Sequence, residues 1–224
     1  MIANKMEQNN LAFSWKKFEE VPIVGIIRGV SLEDFKQILP MYLRAGLTTV
    51  EVTMNTPDVE SLIRFAATEY AGVLNVGAGT VCNLSDLEKA LSYGAQFIVT
   101  PVLNEEVIQR SVAMGIPVFP GALTPSEIYK AWSLGAEVIK VFPAGYLGAN
   151  YLKEIKAPLD KIKMLPTGGI SLSNMQSFLD LGVSGLGIGS PLFDKALIQA
   201  KDWIGLENHF TKYVEVFRNK NLTS

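Results

Sequence analysis

Two ionisable side chains occupy places where a soluble protein ordinarily puts apolar ones. Lys140 interrupts the run Val138-Ile139-Lys140-Val141-Phe142. Strand side chains alternate faces, so Val138, Lys140 and Phe142 share one face. Burying an unpaired ammonium costs on the order of several kcal/mol. The usual relief is a depressed pKa, and the neutral amine that results is a nucleophile toward carbonyl carbon. Glu51 repeats the oddity inside a second run, Thr48 to Thr53. An amine and a carboxylate on two buried strands suggest a catalytic pair.

Two glycine-rich stretches suggest what the pair acts on. Gly168-Gly169 lets the backbone come close to an anion, and Gly189-Ser190-Pro191 reads as a turn, a helix N-cap and a proline at the first helical position. Free N–H donors and a partial positive charge at such places suit phosphate.

Elements of regular size must hold these residues. Apolar runs at Ile23–Ile27, Thr48–Thr53, Leu74–Ala78, Phe97–Thr100, Val118–Phe119, Val138–Phe142, Lys163–Leu165 and Ser184–Ile188 read as strands. They recur roughly every 20–27 residues, the length of a strand plus a helix. Between them, Leu32–Ala45, Val59–Tyr70, Ser85–Tyr93, Glu105–Met114, Pro125–Leu134 and Leu172–Leu181 carry apolar residues at helical spacing. Eight such units and no linker predict a single-domain α/β chain, residues 1–224, folded as a (β/α)8 TIM barrel. An open doubly wound sheet fits less well, since no GxGxxG turn follows the first strand. Residues 1–20 read as an N-terminal extension whose helix, Trp15 to Glu20, covers the barrel's lower mouth.

In such barrels chemistry sits at the C-terminal ends of the strands. The residues there are Arg28 on strand 1, Glu51 with Thr53 and Asn55 at the same parity on strand 2, and Thr80 after strand 3. Pro101 follows strand 4, Lys140 and Phe142 lie on strand 6, and Thr167-Gly168-Gly169 and Gly189-Ser190 follow strands 7 and 8.

Composition removes several alternatives. The chain has one histidine, His209, and one cysteine, Cys82, so it cannot assemble a zinc site from several His and Cys ligands. A carboxylate magnesium site is not excluded by that count. His209 lies in the polar segment Glu207-Asn208-His209 and reads as a surface residue. A lone cysteine and the lack of an apolar leader or bilayer-length run suggest a reducing cytoplasm. The formal charge of −2, with no Lys/Arg block, argues against nucleic acid. The three tryptophans are scattered and show no stacking platform.

Taken together, Glu51-Val-Thr-Met-Asn55, Gly77-Ala-Gly-Thr80, Val99-Thr-Pro101, Phe119-Pro-Gly121, Ile139-Lys-Val-Phe-Pro143, Pro166-Thr-Gly-Gly169 and Gly187-Ile-Gly-Ser190 resemble the KDPG/KHG aldolase family. These are the 2-dehydro-3-deoxy-6-phosphogluconate and 4-hydroxy-2-oxoglutarate aldolases. The resemblance runs over about residues 15–205 and implies a class I, Schiff-base aldolase without cofactor or metal. It implies that Lys140 forms the imine and Glu51 is the acid/base. Thr80, Pro101 and Phe142 then surround the pyruvate moiety, and Thr167, Gly168, Gly169 and Ser190 hold the phosphate. It also implies a cytoplasmic homotrimer acting on a phosphorylated 2-keto-3-deoxy sugar acid.

One departure concerns Asn55, where many KDPG aldolases carry an arginine for the substrate carboxylate. Arg28 can supply the charge instead. Asn55-Thr56-Pro57 also resembles the 6-phosphogalactonate branch of the family. Two other classes share the barrel and the phosphate rim: isomerases or synthases using general acid–base chemistry, and a non-catalytic barrel that senses a phosphorylated sugar acid.

Overall fold

In the computed structural model, which describes residues 12–222, the apolar runs become parallel strands separated by helices. In chain order the first elements are α1 (Trp15–Glu20), β1 (Ile23–Ile27), α2 (Leu32–Arg44), β2 (Thr49–Thr53), α3 (Val59–Glu69), β3 (Asn75–Gly79), α4 (Leu84–Tyr93), β4 (Phe97–Val99) and α5 (Glu105–Ala113). They are followed by β5 (Val118–Phe119), β6 (Gly121–Ala122), α6 (Pro125–Ser133), β7 (Val138–Val141), α7 (Gly148–Lys156), β8 (Lys163–Pro166), α8 (Met175–Leu179), β9 (Leu186–Ile188), α9 (Lys195–Gln199) and α10 (Trp203–Leu222). No helix among the described residues is long and apolar enough to cross a membrane. The part of the N-terminal extension before residue 12 lies outside the described residues.

The strands pair in the order β5-β4-β3-β2-β1-β9, with β6-β7-β8 as a second set. Two junctions join the sets into a ring. β5 and β6 are one stretch divided at Pro120, which has no N–H for a ladder. Val118 and Phe119 pair with β4, whereas Gly121 and Ala122 pair with β7. On the other side Thr167, just past β8, bridges Gly187 of β9. The architecture is the (β/α)8 barrel expected from eight repeated units.

Some helices differ from expectation. α7, α9 and α10 have no counterpart among the helices expected from periodicity. α7 starts at Gly148 with no side-chain cap, so it carries no start signal. The helix expected over Leu172–Leu181 is only Met175–Leu179, because the Asn174 side chain accepts the Ser171 N–H and shapes a turn ahead of it. The strong caps behave as their sequences require. Thr124 and Glu127 form a complete capping box at the start of α6.

Alternation along each strand sorts the core into two layers. Val24, Phe97, Val99, Phe119, Val138 and Leu165 point inward and form one cluster with Phe18. The opposite faces pack against the helices. Phe13 and Trp15 join the inner cluster edge to face, at 5.2 Å from Phe13 to Phe97 and 4.9 Å from Phe13 to Trp15. Trp15 thus belongs to an aromatic cluster after all, whose members come from distant positions in the chain. The segment is tied to the strands' starting ends: Asn75, the first residue of β3, bonds both the N–H and the carbonyl of Ser14. Thr48 donates to the Lys17 carbonyl. One end of the barrel is therefore filled with rings, and the polar inward groups gather at the other.

Tyr42 locks the first two strands together. Its buried hydroxyl accepts the Gly25 N–H at 3.1 Å and donates to the Thr49 carbonyl at 2.6 Å. A Cβ at Gly25 would lie 2.5 Å from that oxygen, so glycine is what admits the tyrosine. The two backbone groups also face each other in the β1–β2 ladder, so Tyr42→Phe costs about 1–2 kcal/mol, for the loss of a buried hydroxyl and its two hydrogen bonds. Urea denaturation checks this; a change below about 0.5 kcal/mol would contradict it.

Candidate active site

Glu51 and Lys140 reach one space from separate strands of the barrel. On β2, Thr49, Glu51 and Thr53 point inward, and all are buried. Glu51 stands in register between Ile26 of β1 and Gly77 of β3. Its side chain leans along the strand over Gly79, where any Cβ would overlap the carboxylate. On β7, Lys140 has Val138 before it and Phe142 after it on the same face. Its backbone N–H bonds the Pro120 carbonyl at 3.0 Å. Its Nζ lies 5.1 Å from the centre of the Phe142 ring.

Both groups are almost closed off from water, with Glu51 2% and Lys140 6% exposed. Neither head group makes a hydrogen bond or ion pair with another described residue. They are not a structural salt bridge. Burial pushes the Glu51 carboxyl up, and the positive charges of Lys140 and Arg28 pull it part of the way back. Burial pushes the Lys140 amine down, Glu51 opposes that, and Arg28 adds to it. Desolvation drives both toward their neutral forms. A neutral amine can attack a carbonyl, and a carboxyl shifted up can both take and return a proton.

The space they share is a cavity of about 230 Å³ at the C-terminal ends of the strands. Arg28, Thr80, Pro101 and Phe142 line it together with Glu51 and Lys140. Thr167, Gly168, Gly169, Gly189 and Ser190 line its other side. Pro191, from the second glycine-rich stretch, also lines it, as do Ile26 and Ile170, which no sequence feature marked. Asn55 does not line the cavity and is exposed. The expected parity fails there because the Thr56 N–H returns to the Thr53 carbonyl at 2.9 Å, turning the chain before Asn55.

Each wall has a local cause. Thr80 has φ 59°, a left-handed conformation that strains a β-branched residue by about 1–3 kcal/mol. The Val81 N–H to Val99 carbonyl bond and the Cys82 N–H to Asp86 bond hold the turn that follows. Arg28 has a neighbour in Thr56, whose hydroxyl accepts the Gly29 N–H at 3.2 Å. Arg28 also borders Ser190, in this cavity and in a second hollow of about 290 Å³ that reaches Lys195. The Thr167 hydroxyl donates to the Leu165 carbonyl and fills the space left by Gly187, so it supports the wall from within.

The glycine-rich rim presents bare donors. Gly168 and Gly169 have φ of 84° and 75°, a conformation that favours glycine. The Gly168 carbonyl accepts from Gly145 at 2.7 Å, and the Gly169 carbonyl accepts from Asn174 at 2.7 Å. In a planar peptide the N–H points opposite to the carbonyl, so the N–H groups of Gly169 and Ile170 point the other way. Neither they nor the Ser190 N–H bond to another described residue. Gly145 was not foreseen from the sequence. A Cβ there would lie 2.6 Å from the Gly169 carbonyl oxygen, so only glycine lets the loop after β7 pack on this rim.

His209 departs from its surface assignment. It is half-buried, and its Nε2 lies 2.8 Å from the Pro191 carbonyl.

A family model described as KDPG and KHG aldolase matches residues 15–208. The 2-dehydro-3-deoxy-6-phosphogalactonate aldolase of Escherichia coli K12 is 33% identical over 175 residues, covering 78% of this chain and 85% of that protein. A native KDPGal structure superposes with a TM-score of 0.83 at 29% identity, over 93% of this chain and 98% of that one. A KDPG aldolase from Legionella pneumophila, with pyruvate captured as a covalent carbinolamine intermediate, superposes with a TM-score of 0.82. It is 26% identical, over 88% of this chain and 96% of that one.

Proposed function

The chain belongs to the KDPG and KHG aldolase family, and from that premise we propose that it is a class I aldolase cleaving 2-dehydro-3-deoxy-6-phosphogluconate to pyruvate and glyceraldehyde 3-phosphate. The observation that carries this is the buried Lys140 amine, which makes no hydrogen bond or ion pair with the described residues and shares one cavity with Glu51 and a rim of bare N–H groups. Neutral Lys140 attacks the C2 ketone, and loss of water from the carbinolamine gives a protonated imine. Glu51, directly or through a water, removes the C4 hydroxyl proton. The C3–C4 bond breaks, its electron pair passes to the imine, and glyceraldehyde 3-phosphate leaves. Protonation of the enamine at C3 and hydrolysis then release pyruvate and the free amine.

The other walls take supporting roles in this proposal. Thr80 and Pro101 face the pyruvate moiety, and Phe142 screens the imine from water. The N–H groups of Gly169, Ile170 and Ser190 hold the phosphate, with Arg28 adding positive charge beside Ser190. The protein is slightly acidic overall, so its attraction for a multiply charged anion is local. No cofactor takes part, 4-hydroxy-2-oxoglutarate is a smaller substrate of the same chemistry, and the molecule works in the cytoplasm as a homotrimer. Exposed apolar side chains at Tyr129, Trp132 and Tyr146 support an assembly surface.

The C4 epimer, 2-dehydro-3-deoxy-6-phosphogalactonate, is the second candidate substrate. It is favoured by Asn55-Thr56-Pro57 and by the Escherichia coli relative. Kinetics on both epimers, with pyruvate release coupled to lactate dehydrogenase, test the proposal. Phosphate serves as a remote handle whose binding orients the reacting carbons. The unphosphorylated substrate therefore loses about 10²-fold or more in kcat/KM, with kcat falling as well as KM rising. Tight binding of either phosphorylated acid without pyruvate release would leave a sensor rather than an enzyme.

A further inference from the structure

Outside the cavity, one group of polar contacts has no part in the chemistry described above. The Tyr213 hydroxyl donates to the Pro191 carbonyl at 2.7 Å, and His209 Nε2 meets the same oxygen at 2.8 Å. A carbonyl only accepts, so His209 carries its hydrogen on Nε2 in this contact. Both lone pairs of the Pro191 oxygen are then occupied. The backbone N–H of Leu172 faces the same Tyr213 hydroxyl and tempers the upward push of burial on it. The two rings meet edge to face at 5.4 Å.

These contacts hold one loop of the rim and border the other. Leu172 lies three residues beyond Gly169, and Pro191 directly follows Ser190. One hydroxyl, bonded to the loop after β9, therefore also borders the loop after β8, and the bare N–H groups of both loops must converge on a single anion. The proline ring fixes φ, and the clamp on its carbonyl restrains ψ, so the chain at Ser190 has little freedom left. Neither Tyr213 nor His209 lines the cavity. Their helix is held independently. Phe210, next to His209 and one turn before Tyr213, is fully buried and packs on Tyr42 and Phe193 at 5.5 Å each. Tyr213 is 1% exposed, and burial pushes its hydroxyl up, so it remains a donor over the whole working range of pH.

We infer that Tyr213 and His209 are positioning residues that set the spacing of the phosphate rim from the C-terminal helix, and so govern selectivity for phosphorylated substrate. This rests on the reading of that rim as the phosphate site. In Tyr213→Phe the KM for the phosphorylated acid rises by about 10-fold, which corresponds to about 1.4 kcal/mol of lost binding. Exchange of the pyruvate methyl protons, which needs Lys140 and Glu51 but no phosphate, stays within about twofold of wild type. His209→Gln keeps a donor and stays close to wild type, whereas His209→Ala raises the same KM.

The test is to measure KM and kcat on phosphorylated and unphosphorylated substrate, together with pyruvate exchange, for wild type and all three variants. Equal losses in KM and in pyruvate exchange would mean a merely structural role and overturn the inference. An unchanged KM in both Tyr213→Phe and His209→Ala would overturn it too. If Tyr213→Phe fails to fold, the contrast between His209→Ala and His209→Gln decides the matter alone. A wild-type enzyme that does not distinguish the two substrates would refute the phosphate site itself, which is a different failure.

Discussion

Lys140→Met abolishes aldol cleavage, with kcat falling by about 10⁴-fold or more, because no other amine among the described residues lines the cavity to take over imine formation. The fold does not suffer. A lysine whose folded pKa is lowered binds fewer protons in the folded chain than in the unfolded one. Its charge therefore opposes folding at every pH below the ordinary lysine range, and stability returns as pH rises toward that range. Methionine removes the opposition. Glu51 then takes up a proton more readily, since the positive charge that pulled its pKa down is gone. The free energy of unfolding at neutral pH rises by about 1 kcal/mol or more, as urea denaturation would show. A variant that loses both activity and stability would make Lys140 structural. The same shift sets the acid side of the pH profile. Turnover falls as pH drops through the Lys140 pKa, which lies below that of an ordinary lysine.

Glu51→Gln and Gly79→Ala form the second large effect. Removing the carboxylate lowers kcat by about 10²–10⁴-fold, the usual contribution of a positioned acid/base group. Gly79→Ala leaves the carboxylate in the protein but puts a methyl group where it lies. The added methyl meets the Glu51 side chain from its Cγ outward, so the whole side chain rotates away while the strands keep their register. Gly79→Ala should therefore match Glu51→Gln in turnover within about tenfold, with its thermal midpoint only slightly changed. If Gly79→Ala retains most of the wild-type kcat, the leaning geometry of Glu51 is not what catalysis uses.

Lys140 and Glu51 were legible in the sequence because each is an energetic anomaly within its own strand. So were the glycine-rich loops, whose composition alone signals exposed backbone. What escaped depends on partners far away in the chain. Gly79 looks like one more motif glycine until Glu51 is seen to lean across it from β2. Gly145 matters only because the rim packs against it. Trp15 meets Phe119 directly and Phe97 through Phe13, contacts that no local spacing encodes. Asn55 shows the opposite failure. Alternation was carried past the end of β2 into a turn, where period two no longer holds. The polar neighbours of His209 point to the surface, whereas its position is set by Pro191 eighteen residues earlier.

The most direct measurement of the central claim is borohydride reduction of the protein in the presence of pyruvate, followed by peptide mass mapping. A nucleophilic Lys140 requires a reduced pyruvyl adduct on the peptide containing Lys140, absent when pyruvate is left out and absent from Lys140→Met. An adduct on another lysine, or full retention of aldolase activity after borohydride and pyruvate, would contradict it.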